Sequence, residues 1–263
     1  MEDGLDIAKR KKDFERWSAF SSDVQSGLNE AASCLIQNQA GGLWDSNTVA
    51  VRILLRTCSN FHAVRSLVSI DLVSEPRSHV RSIIEGAFAL VWLRQDPNGF
   101  LDGLKNDAAA SSKRQSGFIM NHFELPDGDR TKSIKSLAKS KEKFSPLKWR
   151  DMAERGPYAR LYLAYLQLSE SSVHLSARSL HRYSNVKSDC SSWSYSDGKG
   201  TYAENAATLK HACSAAISVG MAISDLLNDA SINASFGALS EKFGQMPKTI
   251  GLLDDARSAE GSV

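Results

Sequence analysis

Apolar positions recur in steps of three and four along most of this chain, and that spacing predicts helices almost from end to end. From Leu5 to Gln39 the series is Phe14, Trp17, Phe20, Val24, Leu28, Ala31 and Leu35, one long amphipathic helix closed by Gly41-Gly42. A second helix is expected from about Asn47 to Val73, with Val51, Leu54, Leu55, Cys58, Phe61, Val64, Leu67 and Ile70 turned inward. Pro76 suits the first turn of a third helix, where its missing N–H costs no bond. That helix should reach Arg94, ahead of Asp96-Pro97. A fourth is expected near Leu101–His122 and a fifth over Tyr158–Tyr183. The Ser- and Gly-rich stretch Ser184–Gly200 reads as loop. Thr201-Tyr-Ala-Glu204 is a capping box, opening a last long helix through Ala207, Leu209, Cys213, Ile217, Met221 and Leu226.

These elements predict an all-α, single-domain bundle of long amphipathic helices around a buried central helix. The expected layout is an N-terminal helix over 1–45 and a helical core over 46–230, with a basic excursion at 124–157. Residues 231–263 are expected to form an amphipathic segment and a disordered polar tail, DDARSAEGSV.

Composition narrows the setting. At 263 residues and 42% hydrophobic content the chain can bury a core without staples. A net charge of +2 excludes a molecule that is polycationic as a whole. Cys34, Cys58, Cys190 and Cys213 form no C-x-x-C pair and no zinc-finger spacing, which suits a reducing compartment. The charged start MEDGLDIAKRKKDF is unlike a signal peptide, and the run AFALVWL is too short to cross a bilayer. The expectation is a cytoplasmic protein with no membrane attachment.

Charge is distributed unevenly. From Asp129 to Arg160 ten Lys and Arg stand among four acids. Lys132, Lys135, Lys139, Lys141 and Lys143 form either a solvated, mobile face or a strip that binds the backbone of a nucleic acid.

The third helix, RSHVRSIIEGAFALVWLR, is apolar nearly all the way round, the pattern of a buried helix. Arg81 and Glu85 nevertheless sit four apart on the stripe that continues into Phe88 and Trp92. Two charges there are either an ion pair that fixes packing or a polar site able to grip an anion. On the fifth helix His174, Arg178 and His181 form one row, opposite an apolar arc of Leu161, Tyr165, Leu168, Leu175 and Leu180. That row is either a wet face or a place for phosphate. Carboxylates do not cluster as a metal would require, and no nucleotide-loop, serine-hydrolase or zinc-protease motif is present, so no metal or cofactor is implied.

The residues Arg81-Ser82-x-x-Glu85 on one helix and Tyr165-x-x-x-Ser169-x-x-x-x-His174 on another resemble a bacterial family of all-helical domains of unknown function, over roughly Val51 to Leu226. The resemblance implies a domain in which Arg81, Glu85 and His174 converge. The fold also resembles HEPN domains, helical proteins of toxin–antitoxin and phage-defence systems, many of them metal-independent ribonucleases with a signature of Arg, four to six residues, then His. Arg56-TCSNF-His62 has that spacing, with Thr57 after the arginine and side chains about 120° apart on a regular helix. The implied activity is metal-independent RNA cleavage, with catalytic residues Arg81, Glu85, His174 and Arg178, or else Arg56 and His62. The implied partner is RNA or another phosphate-bearing ligand. The competing expectation is a non-catalytic helical sensor or partner-binding module with a structural Arg/Glu/His network. Long N-terminal helices favour a homodimer under either, and both leave room for a protein partner.

Overall fold

The structure, a computed structural model, describes residues 4–37, 41–154, 156–172, 177–187 and 191–248. The fold is all-α, with one two-stranded hairpin among the described residues. The helices are α1 (Gly4–Gln37), α2 (Ser46–Val68), α3 (Ser74–Gln95), α4 (Pro97–His122), α5 (Asp129–Lys139), α6 (Trp149–Glu154), α7 (Ala159–Ser172), α8 (Ala177–His181), α9 (Tyr202–Leu227) and α10 (Ala230–Gly244). The strands are β1 (Ser184–Val186) and β2 (Trp193–Tyr195).

Side-chain caps set several of these boundaries. The Asp45 carboxylate accepts from the N–H groups of Asn47 (2.9 Å) and Thr48 (3.2 Å), satisfying two orphan donors at the start of α2. Asp96 caps α4 through the Gly99 N–H at 2.9 Å, with Pro97 in the first turn. The Asp96-Pro97 step therefore ends one helix and begins the next, and α4 starts ahead of the expected Leu101. The Thr201–Glu204 capping box forms in both directions, at 3.2 and 2.9 Å.

Helices α3 and α9 share the centre of the bundle. The first packs against α2, α4, α6, α7 and α9, the second against α1, α2, α3 and α10. Val80, Ile83, Ile84, Ala87, Phe88, Leu90 and Leu93 bury α3, as its all-round apolarity predicts. Helix α9 is long and apolar enough, by composition, to cross a membrane, but 72% of its apolar window is buried against the rest of the protein.

Four expectations change. Helix α2 stops at Val68 because Asp71 adopts a left-handed φ of 63°, and Ile70, expected inside, is 61% exposed. The segment after Asn228 belongs to the core rather than lying beside it. Phe236 of α10 is fully buried over Gly220, and Phe243 packs edge-on against Trp17 at 5.5 Å. The expected fifth helix is described as α7 and α8, and it ends at His181, not Tyr183. The expected loop holds the hairpin, in register Ser184↔Tyr195, Asn185↔Ser194 and Val186↔Trp193. Three-residue strands in a Ser/Gly-rich stretch carry too little alternation to be read. The polar tail lies outside the described residues.

Candidate functional site

The charge pair inside α3 forms as the four-residue spacing requires, with Arg81 Nη2 3.3 Å from Glu85 Oε1. The side chains are 23% and 12% exposed, so both ions are largely withdrawn from water. Their common partner comes from α7. Phe88 of α3 packs against the rings of Tyr162 and Tyr165, which stack on each other at 5.8 Å, and this seats the Tyr165 phenol beside the pair. Arg81 Nη2 donates to Tyr165 Oη at 3.0 Å, and its guanidinium lies 4.9 Å from the ring centroid. The Tyr165 hydroxyl also favours the ionised form of Glu85. Burial pushes the Glu85 carboxyl above its ordinary value, and the charges of Arg81 and Arg56 with the nearby Tyr165 hydroxyl offset only part of that. Burial likewise raises the Tyr165 phenol, against the pull of Arg81.

The other side of Glu85 opens on a cleft of about 240 Å³ between α2 and α3. Its polar lining is Arg52, Arg56, Thr57, Ser82 and Glu85, and Trp149 forms part of the apolar wall. Gly86 lets the two helices approach here: a Cβ at that position would lie 3.3 Å from Ile53. Arg52 and Arg56 are four apart on α2, so both guanidinium groups reach one face. A larger cavity of about 740 Å³ shares Arg52, but Leu35, Ile36, Leu43, Val51 and Leu55 dominate it.

The basic excursion delivers one wall of this cleft. Leu147 and Trp149, at its C-terminal end, are lining residues. The segment is pinned to α4. The Leu147 N–H donates to Asp107 at 3.0 Å, and Lys113 Nζ donates to the carbonyls of Ser140 (2.6 Å) and Glu142 (2.8 Å). Lys132, Lys135, Lys139, Lys141 and Lys143 are all exposed, and Lys132 is 3.1 Å from Asp129.

The structure thus brings Arg81, Glu85 and Arg56 into one neighbourhood and adds Tyr165, Arg52 and Trp149. His62 is exposed and absent from the cleft lining, as the angular offset from Arg56 predicts. His174 and the side chain of Arg178 lie outside the described residues. His181 is exposed. Spacing within a single helix hides one further group, half-buried His79 on α3, whose Nδ1 stands 2.8 Å from Asn60 Oδ1 on α2. Asn60 is four residues past Arg56 and His79 three before Ser82, so the pair continues the polar seam one turn beyond the cleft. Two other titratable groups are set by burial. His211 is held down to about 4, with Lys210 and Arg77 adding to the effect, and the Cys58 thiol is pushed up to about 11. Neither is charged near neutral pH.

Residues 47–191, more than half of the chain, match the family described as "Family of unknown function (DUF5677)". No curated protein and no solved structure matches the chain. The matched span runs from the second residue of α2 through α8 and β1 and holds every residue of the polar seam and its cleft, while α9 and α10 lie beyond it. The chain belongs to the DUF5677 family, and the α2–α3 cleft falls within the part of it that defines membership.

Proposed function

We propose that this chain is a metal-independent endoribonuclease whose α2–α3 cleft grips an RNA phosphate. The observation that carries this reading is the meeting, in one cleft, of Arg52 and Arg56, the carboxyl of Glu85 and the aromatic wall of Trp149. Guanidinium groups match phosphate geometry, an indole face suits an unstacked base, and exposed lysines on the segment ending at that wall extend the field along a strand. Among the described residues no three His, Cys, Asp or Glu side chains converge as a metal site would require. The HEPN resemblance supplies the setting, an intracellular bacterial protein acting in phage defence or as a toxin.

The test is cleavage of end-labelled single-stranded RNA in EDTA. The wild type should cleave, and Arg56→Ala should be about 100-fold slower or worse, the usual cost of removing one donor from developing charge. Intact RNA with the wild type, or equal rates for the two proteins, overturns the reading. A second reading, a non-catalytic sensor or partner-binding module, is favoured by the way Glu85 and Tyr165 already occupy the Arg81 guanidinium. It predicts no cleavage, and a loss of stability rather than activity when Arg81 is replaced.

A further inference from the structure

Within the ribonuclease reading, on which this rests, we infer that His79 is the proton acceptor of the reaction and that Asn60 fixes its tautomer. Asn60 Nδ2 donates to the Arg56 carbonyl oxygen at 2.9 Å. A carbonyl can only accept, so this bond sets which end of the carboxamide is nitrogen. Oδ1 is therefore the atom 2.8 Å from His79 Nδ1, and it too can only accept. The proton of a neutral His79 must sit on Nδ1, which leaves the lone pair on Nε2. An imidazole oriented through Nδ1 by an acceptor, with a basic Nε2, is the arrangement that general-base catalysis uses.

The same bond ties this group to the cleft. Arg52, Arg56 and Asn60 follow one another at four-residue steps on α2, and His79, Ser82 and Glu85 at three-residue steps on α3. Arg52, Arg56, Ser82 and Glu85 line the cleft, and His79 stands one turn away, about 5 Å along the axis. A phosphodiester held at Arg56 places the adjoining ribose at that distance. His79 Nε2 takes the proton of the 2′-hydroxyl as the 2′-oxygen forms a bond to phosphorus. The P–O5′ bond breaks, its electron pair stays on the 5′-oxygen, and that oxygen takes a proton from water; the hydroxide so formed takes back the proton held on His79 Nε2, which restores the neutral ring. The products are a 2′,3′-cyclic phosphate and a free 5′-hydroxyl, with no redox change and no co-reactant.

Cleavage of single-stranded RNA in EDTA by the wild type, His79→Ala and Asn60→Ala tests this. The expected result is a loss of 100-fold or more in folded His79→Ala, partial rescue by added imidazole, and an intermediate loss in Asn60→Ala. Wild-type cleavage with His79→Ala within threefold of it overturns the role of His79 and leaves the ribonuclease reading standing. No cleavage by the wild type overturns both. Should His79→Ala fail to fold, the imidazole ¹⁵N spectrum of the wild type decides. An Nδ1-protonated His79 whose Nε2 signal moves on adding uridine 3′-monophosphate supports the role; an Nε2-protonated ring, or a signal that does not move, refutes it.

Discussion

Tyr165→Phe isolates the hydroxyl that joins α7 to the charged pair of α3. The substitution keeps the ring, so the stacking on Tyr162, the contact with Phe88 and the cation–π contact with Arg81 all survive. What is lost is the bond that Tyr165 Oη accepts from Arg81 at 3.0 Å, and with it the hydroxyl's support of the ionised Glu85. A hydrogen bond to a charged group contributes about 1.5–3 kcal/mol, and the direct Arg81–Glu85 contact remains, so the expected loss is about 2 kcal/mol. For a chain of this size that lowers Tm by about 4–8 °C. Urea unfolding at neutral pH measures it, and a double-mutant cycle with Glu85→Gln should return a coupling of about 1 kcal/mol. The pH dependence has a definite sign. Burial raises the folded Glu85 value above its unfolded one, so the native state holds the extra proton between the two values and this group's contribution falls as pH rises through the folded value. Because the Tyr165 hydroxyl favours the ionised carboxylate, the deficit of Tyr165→Phe should widen from acid to neutral pH. A loss below about 0.5 kcal/mol at neutral pH would show that the hydroxyl does not hold the pair and would refute the reasoning.

Other outcomes follow from the scaffold. Gly220→Ala puts a Cβ into the ring of buried Phe236 and should cost about 1–3 kcal/mol by denaturant unfolding, with α10 displaced; an unchanged midpoint would mean that α10 is not seated there. Thr201→Ala removes half of the capping box of α9 and should cost about 1 kcal/mol. Burial raises the Glu204 carboxyl, but Arg182 at 2.5 Å, the Thr201 N–H and the charge of Arg77 overcome it and hold the group below its ordinary value. Its stabilisation is therefore present above the unfolded carboxylate pKa and lost as pH falls through the folded value. In Arg182→Met the folded value should rise toward or past the unfolded one, so that acid-side loss should shrink, and an unmoved pH profile would show that the ion pair contributes nothing.

The long helices are legible in the sequence because each buries one face, and the three-and-four spacing records that face directly. The Arg81–Glu85 pair is legible because two charges interrupt an otherwise continuous apolar helix. The cleft is not, because it is made by three segments far apart in the chain. Arg56 meets Glu85 where Gly86 leaves room between α2 and α3, and Trp149 reaches the wall at the end of a loop that Asp107 and Lys113 hold to α4. The pairing of Asn60 with His79 escapes any spacing rule within one helix, although each residue stands at helical spacing from a cleft residue on its own helix. Residue Ile70 misleads for a related reason: a helical pattern can run past the point where a residue in the left-handed region, here Asp71, has ended the helix.

The central claim, that the α2–α3 cleft cleaves RNA without metal, is tested most directly by mass spectrometry of the products from a defined single-stranded RNA in excess EDTA. The account predicts fragments ending in 2′,3′-cyclic phosphate, with 5′-hydroxyl partners, formed by the wild type and lost in Arg56→Ala. Intact RNA, or fragments with 3′-hydroxyl and 5′-phosphate ends that form only when Mg²⁺ is restored, would contradict it.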